Sequence, residues 1–290
     1  MRRVLVLLPP LGWLLLFVAA PMLLLLAIAL AEPDQGVPPF RWPIAWPTPE
    51  TGGWPAWQGS AAALETLTAD WFYAGALLRA LRVALVTAAL CLVLAYPMAL
   101  GIAAARPTRR PVLLLLVLLP FWAGFLPRLG AWVGLLRDGG WVNGALLGLG
   151  LVEAPVRLLY TDAALYLGMV HAYLPFAVLP LYAALARLDP ALAEAAAGLG
   201  ASTAAVFRTV TLPLSLPGAA AGFLLVFIPA AGEYVIPELL GPPEAELVGR
   251  AIWAEFFGSR DWPVAAALAL ALLGVLLLPI RLFQRLEARR

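Results

Sequence analysis

Past the middle of the chain, between two apolar runs, a polar segment carries two carboxylates among small residues: Arg187, Asp189 and Pro190, then Glu194, Ala195 and Ala196, then Gly200, Ser202, Val210, Leu212 and Pro213. Asp189 followed by Pro190 is a strong helix start, because the Asp side chain accepts a free backbone N–H and proline fits the first turn. Ala191 to Ala197 favour helix, Gly198 and Gly200 interrupt it, and Ser202 is placed to cap a second short helix running toward Val210. Segment 187–213 therefore reads as helix, turn, helix. Small side chains let such a helix enter a groove on another protein, a glycine permits the sharp turn, and Glu194 supplies a directional charged contact. That chemistry suits a contact, with another protein or with the loop's own bundle, and not bond making.

A second set of residues stands out by its cost. Glu233 and Arg128 each lie toward one end of a long apolar run, where an ionisable group in lipid is expensive and faces a cavity or a partner. An Arg128–Glu233 ion pair and a polar path through Glu233 are equal readings. Arg79 and Arg82 sit near the start of another run, from which long side chains snorkel to the interface. The single histidine, His171, reads as a helix-packing residue, and the single cysteine, Cys91, has no partner for a disulfide or a Cys-based metal site. One histidine and one carboxylate within the apolar runs make no catalytic cluster. A Gly-rich phosphate loop with Lys and Ser or Thr is also missing, so the chain is not expected to hydrolyse ATP itself.

The elements that must carry these residues follow from composition. Of 290 residues, 63% are apolar and 12% charged, which excludes a water-soluble fold. A membrane span needs about 20 mostly apolar residues. Six stretches qualify, from Val4 to Ala31, Ala76 to Ala105, Val112 to Leu136, Ala163 to Ala186, Leu214 to Pro237 and Pro263 to Gln284. The first is too long for a secretory apolar core and reads as an uncleaved anchor. An all-α integral membrane protein of about six transmembrane helices is expected, with prolines such as Pro97, Pro120, Pro127, Pro175, Pro180 and Pro229 bending its helices. The connections divide by charge. One side holds Arg2, Arg3, Arg106, Arg109, Arg110, Arg187, Arg208, Arg281, Arg285, Arg289 and Arg290 against three acids, and the other holds five Arg against 13 acids. Arginine excess marks the cytoplasmic side, so both termini and segment 187–213 are placed inside. The outer connection from Glu32 to Gly75 is rich in proline and in Trp42, Trp46, Trp54 and Trp57, and is not expected to form a regular helix over its first half, with the tryptophans at the membrane interface. A short amphipathic helix is expected at Ala61 to Asp70. Residues 1–75 thus form an anchor with a Pro/Trp-rich outer segment, and 76–290 the core with its cytoplasmic loop.

The polar segment resembles the coupling loop of bacterial ABC importer permeases: Glu-Ala-Ala, three residues, Gly, nine residues, then Ile or Val, one residue, Leu-Pro. Glu194, Ala195, Ala196, Gly200, Val210, Leu212 and Pro213 match at every spacing, although Ala197 and Gly198 stand where the family often has a charged pair. Ala-rich matches arise easily, but seven matches on the arginine-rich side outweigh a loop that merely packs on its own bundle. The resemblance implies a type I importer permease with an ATP-binding subunit dimer, a second homologous permease and a periplasmic solute-binding protein as partners, in the bacterial inner membrane. ATP and Mg would be used by the partner ATPase, with no cofactor on this chain. The scattered arginines give no footprint for nucleic acid.

The resemblance narrows to the spermidine and putrescine permeases through Gly232 to Gly241, Leu247 to Ile252, Phe256, Arg260 to Pro263, Pro120 to Trp122, Arg128, Leu174 to Phe176 and Leu179 to Tyr182. Permeases for ferric iron, thiamine, opines or phosphonates carry similar patterns and stay open. The 13 outer acids would concentrate a polycation near an entrance. On that reading Glu233 is the first candidate for the substrate path, Tyr234 and Trp262 offer aromatic faces to an ammonium group, and Glu238 and Asp261 add charge at its mouth. A membrane-embedded enzyme, a channel and a secondary transporter are the rivals, and each leaves the 194–213 pattern unexplained.

Overall fold

The computed structural model describes residues 2–47, 53–69 and 71–287. Along the chain, α1 (Arg2–Leu14) passes through a π-helical turn, Leu15–Ala19, into α2 (Ala20–Ala29). Two short antiparallel ladders follow, β1 (Glu32–Pro33) with β2 (Phe40–Arg41), then β3 (Ile44–Ala45) with β4 (Ala56–Trp57). Next come α3 (Ala62–Ala69), α4 (Trp71–Ala104), α5 (Arg110–Trp122), α6 (Phe125–Leu136), α7 (Trp141–Gly148) and α8 (Asp162–Leu185). The chain ends with α9 (Pro190–Gly198), α10 (Thr203–Val206), α11 (Leu212–Ala231), α12 (Val235–Leu240), α13 (Val248–Trp253) and α14 (Trp262–Glu287). Among the described residues five helical runs are long and apolar enough to cross a membrane, and a sixth span exists if the bent run from α5 to α7 is counted as one.

Three expectations change. The third apolar stretch is not a single span to Leu136: it breaks at Gly124, whose φ of +77° favours glycine, and the helices on either side meet at 83°. The fifth ends at Ala231 and not at Pro237, because the chain leaves the helix over Gly232 and Glu233 before α12 begins. At its other end, α10 is not a separate helix, since a π turn over Phe207–Thr211 joins it to α11 in one run, Thr203–Ala231. Pro97, Pro175 and Pro180, by contrast, sit inside α4 and α8 without ending them.

The chain divides into two compact units, Met1–Leu78 with Glu246–Leu277, and Arg79–Ala245 with Leu278–Arg290. In the first, the side chains of the N-terminal helix from Leu7 to Leu24 lie almost all exposed, as expected of a lipid-facing helix. The Pro-rich connection is not shapeless, since it pairs its strands and ties Arg41 Nε to Asp34 Oδ2 at 3.2 Å. The Gln35 amide and then the Arg41 guanidinium hold the exposed Asp34 carboxyl below the usual carboxylate range. Within the same unit Tyr73 donates to Glu255 at 2.7 Å, and Arg260 Nη2 donates to the Gly36 carbonyl at 3.4 Å.

The second unit is built on α8 against α11. Gly218 lets the two backbones approach: a Cβ there would lie 2.4 Å from the Ala184 Cβ and 2.8 Å from the Pro180 carbonyl oxygen. Met169, Ala177, Val178, Leu181 and Val226 fill the buried core. Small residues serve such contacts because lipid tails are as apolar as leucine, so packing has to replace the hydrophobic drive between helices. Tyr96 and Ser215, 3.1 Å apart, add a hydrogen bond between α4 and α11.

Candidate functional site: a docking loop and a polar centre

The loop after α8 is ordered by its own sequence. Asp189 Oδ1 accepts from the Ala191 N–H at 3.0 Å with Pro190 in the first turn, and Ser202 Oγ accepts from the Ala205 N–H at 3.3 Å. Between them α9 closes as a Schellman motif. Gly200 has φ +88° and donates to the Ala197 carbonyl at 2.9 Å, while Ala201 donates to the Ala196 carbonyl at 3.1 Å. Glycine is needed there because a Cβ in this left-handed conformation costs about 1 to 2 kcal/mol.

The loop has two faces. Leu192, Ala193 and Val210 line a pocket of about 180 Å³ with Ala103, Ala104, Leu185 and Leu214, so the inner face looks toward the bundle across this pocket. The outer face presents Glu194, Ala195 and Gly200, all exposed, with Ala196 half-buried. Leu212 and Pro213 open α11, half-buried and exposed in turn. Leu199 was not anticipated from sequence: it is 90% exposed at the turn, an apolar side chain held out at the end of α9. Its signal was its place before the turn glycine, at the helix C-cap.

The polar centre is arranged differently from the Arg128–Glu233 pair expected as one of two readings. Glu233 is half-buried in the break between α11 and α12. One carboxylate oxygen accepts from the Val235 N–H at 2.9 Å and from Ile236 at 3.4 Å, and the other accepts the Tyr173 hydroxyl proton. The break leaves the first N–H groups of α12 without helical partners, and the carboxylate fills that need. Arg128 is 8% exposed and serves the other break. Its Nη1 donates to the Pro120 carbonyl at 3.2 Å, one of the carbonyls that α5 leaves unpaired at its end. The guanidinium also lies 5.2 Å from the Phe121 ring centre and 5.7 Å from that of Phe125. Each charged group thus meets a helix end of the complementary sign, and the ion pair does not form. Tyr173, unforeseen from sequence, joins the centre from α8 with its ring 6.2 Å from that of Phe176. His171 accepts from Trp132 Nε1 at 3.0 Å, which agrees with its packing role.

The remaining path candidates separate. Tyr234, half-buried, and Glu238, exposed, flank and join α12 beside Glu233. Asp261 and Trp262 belong to the first unit. Asp261 Oδ1 accepts from the Val264 N–H at 3.1 Å, capping α14, and the residue lines a polar pocket of about 350 Å³ with Asp34, Gln35, Ser259 and Arg260. Trp262 donates to the Phe256 carbonyl at 3.1 Å, and its ring stacks on Phe256 at 4.6 Å, so one aromatic face is already covered.

Long apolar helices, two broken spans with polar breaks and an ordered polar loop define a multi-pass membrane protein of transporter type. The chain belongs to the binding-protein-dependent transport system inner membrane components, whose family model matches residues 92–290. It is similar to the spermidine/putrescine transport system permease protein PotB of Haemophilus influenzae, 36% identical over 276 residues that cover 94% of this chain and 90% of the relative. PotB of Escherichia coli (strain K12) is 35% identical over 272 residues, covering 92% of each. The fold matches that of a bacterial alginate ABC transporter crystallised in complex with an alginate pentasaccharide-bound periplasmic protein, with TM-score 0.69 and 21% identity over 99% of this chain and 94% of that one. The chain is therefore an inner-membrane permease subunit of an ABC importer, a transporter component and not an enzyme by itself.

Proposed function

We propose that this subunit carries spermidine or putrescine across the inner membrane. The observation that carries this reading is the 35% to 36% identity to PotB along more than nine tenths of the chain. The acid-rich connections, with 13 carboxylates against five arginines, support it by attracting a polycation. In this reading residues 1–75 anchor and flank a core of residues 76–290, and both termini lie in the cytoplasm. Loop 187–213 docks on one subunit of an ATPase dimer that uses ATP and Mg. A second, homologous permease presents its own loop to the other ATPase subunit, and a periplasmic solute-binding protein delivers the cargo.

The outward face of the loop fits the docking role, because Glu194 and Leu199 stand free of the bundle while Val210 anchors it. ATP and the loaded binding protein each drive the change of access only by preferring one permease conformation, so the loop contact must transmit a coupling free energy. Glu233, with Tyr234 and Glu238 nearby in the second unit, marks the cargo path; Asp261 and Trp262, in the first unit, are separate candidates for contacting the cargo. A polycation passing Glu233 competes with the hydrogen bonds from Tyr173 and α12.

The test is uptake of radiolabelled spermidine and putrescine into vesicles holding the complete importer, with ferric iron and thiamine as controls. Wild type is expected to take up polyamine, and Glu233→Gln to lose most of that uptake while staying folded, since the amide oxygen still accepts from Val235. Uptake of iron or thiamine without polyamine would overturn the cargo assignment. Full polyamine uptake by the variant would remove Glu233 from the path.

A further inference from the structure

A groove in the second unit has no part in the docking loop or the polar centre. It is lined by Pro97, Met98, Gly101 and Ile102 of α4 and by Leu113, Leu116 and Val117 of α5, is almost wholly apolar, and has a volume of about 510 Å³. Open space lies over Gly101, where a built Cβ would meet nothing within 4 Å. Next to the groove the two helices are joined by a connection with three arginines in five residues, Arg106, Arg109 and Arg110.

Those arginines are differently employed. Arg110 is half-buried and its Nε donates to the Ala105 carbonyl at 3.0 Å, so it secures the turn at the end of α4. Arg106 and Arg109 are exposed, and neither side chain has a partner among the described residues. Arg109 precedes Leu113 by four residues and Arg106 follows Ile102 by four, so the connection that carries both joins α4 to α5 next to the groove residues Ile102 and Leu113. Of the three acids on that side, Asp189 lines a separate pocket with Leu100, Ala103 and Ala104 and its carboxylate is engaged by Ala191, while Glu194 is exposed on α9.

An open apolar groove next to a connection with two unpartnered cations is complementary to one kind of molecule: an acyl chain fills the groove and a phosphate head group meets the arginines. We infer that this groove is a binding site for one anionic phospholipid, with Met98, Gly101 and Leu116 contacting the acyl chain and Arg106 and Arg109 the phosphate. Arginine suits the role because its planar fork donates two hydrogen bonds to one phosphate. Ordinary cytoplasmic placement explains arginines in a connection, but not their position next to an open apolar groove.

The test uses the complete importer, purified in detergent and titrated with phosphatidylglycerol or phosphatidylethanolamine of matched chains, with bound lipid counted by native mass spectrometry. Wild type is expected to retain phosphatidylglycerol in preference. Replacing Arg106 and Arg109 with Gln should cut that preference by about thirtyfold, roughly fivefold per arginine. Replacing both with Lys should restore most of it. Gly101→Phe, which fills the groove and leaves the charges in place, should lower retention of phosphatidylglycerol by a similar factor. Equal retention of the two lipids by wild type overturns the inference. So does an unchanged preference in both the Gln and the Phe variants, or a protein segment in place of lipid captured by a photo-crosslinker at Met98.

Discussion

Glu194 and Glu233 are both acids in a chain that has few within its apolar reach, yet their surroundings assign them different work. Glu194 is exposed on α9, a helix with no buried residue, and among the described residues no side chain of its own bundle partners its charge. A charge-assisted contact of this type is worth about 1.5 to 3 kcal/mol. Glu194→Ala is therefore expected to insert and fold normally while docking to the ATPase weakens by roughly tenfold to a hundredfold. Cargo-stimulated ATP hydrolysis by the reconstituted importer measures this, and an unchanged rate would remove Glu194 from the docking surface. Glu233 was legible as a costly acid, but its partners were not: Tyr173 lies 60 residues away in the chain, and the capped helix exists only because α11 stops at Ala231. Charge alone pointed to Arg128, and two helix ends with unmet hydrogen bonds took the charges instead.

At the scale of elements, the loop from Asp189 to Pro213 was the most legible part of the chain. Its caps, its turn glycine and its helix formers all act within a few residues, so sequence and structure agree on them. Gly200→Val should cost about 1 to 2 kcal/mol from the left-handed backbone alone, tilt α9 and lower stimulated hydrolysis in the same assay as Glu194→Ala. The packing of α8 on α11 was less legible, because many glycines in this sequence look alike and only a few sit where backbones touch. Gly218 is one of those. Gly218→Val places methyl groups against Ala184 and Pro180 and should lower stability by about 1 to 3 kcal/mol, the usual range for overpacking. Thermal unfolding in detergent reads that loss. Gly144→Val, over open space, should leave the midpoint unchanged and serves as its control.

For the molecule as a whole, orientation is open to direct measurement because the single cysteine, Cys91, is fully buried and gives little background to a membrane-impermeant maleimide. Thr108→Cys, in the arginine-rich connection, should stay unlabelled in intact spheroplasts and react after lysis, while Gln35→Cys should react in both. The reverse pattern would invert the topology. The residues by themselves determined the lipid environment, the approximate number of spans, the division of charge between alternate connections and the local form of the loop from Asp189 to Pro213. Each of these depends on composition or on neighbours within one or two helical turns. Only the tertiary structure decided where the third and fifth spans break, which groups meet Arg128 and Glu233, that Leu199 faces outward, and that an apolar groove opens beside Arg106 and Arg109. A glycine or a proline permits a break, but whether the helix takes it depends on partners for the freed backbone groups, and those partners come from distant parts of the chain.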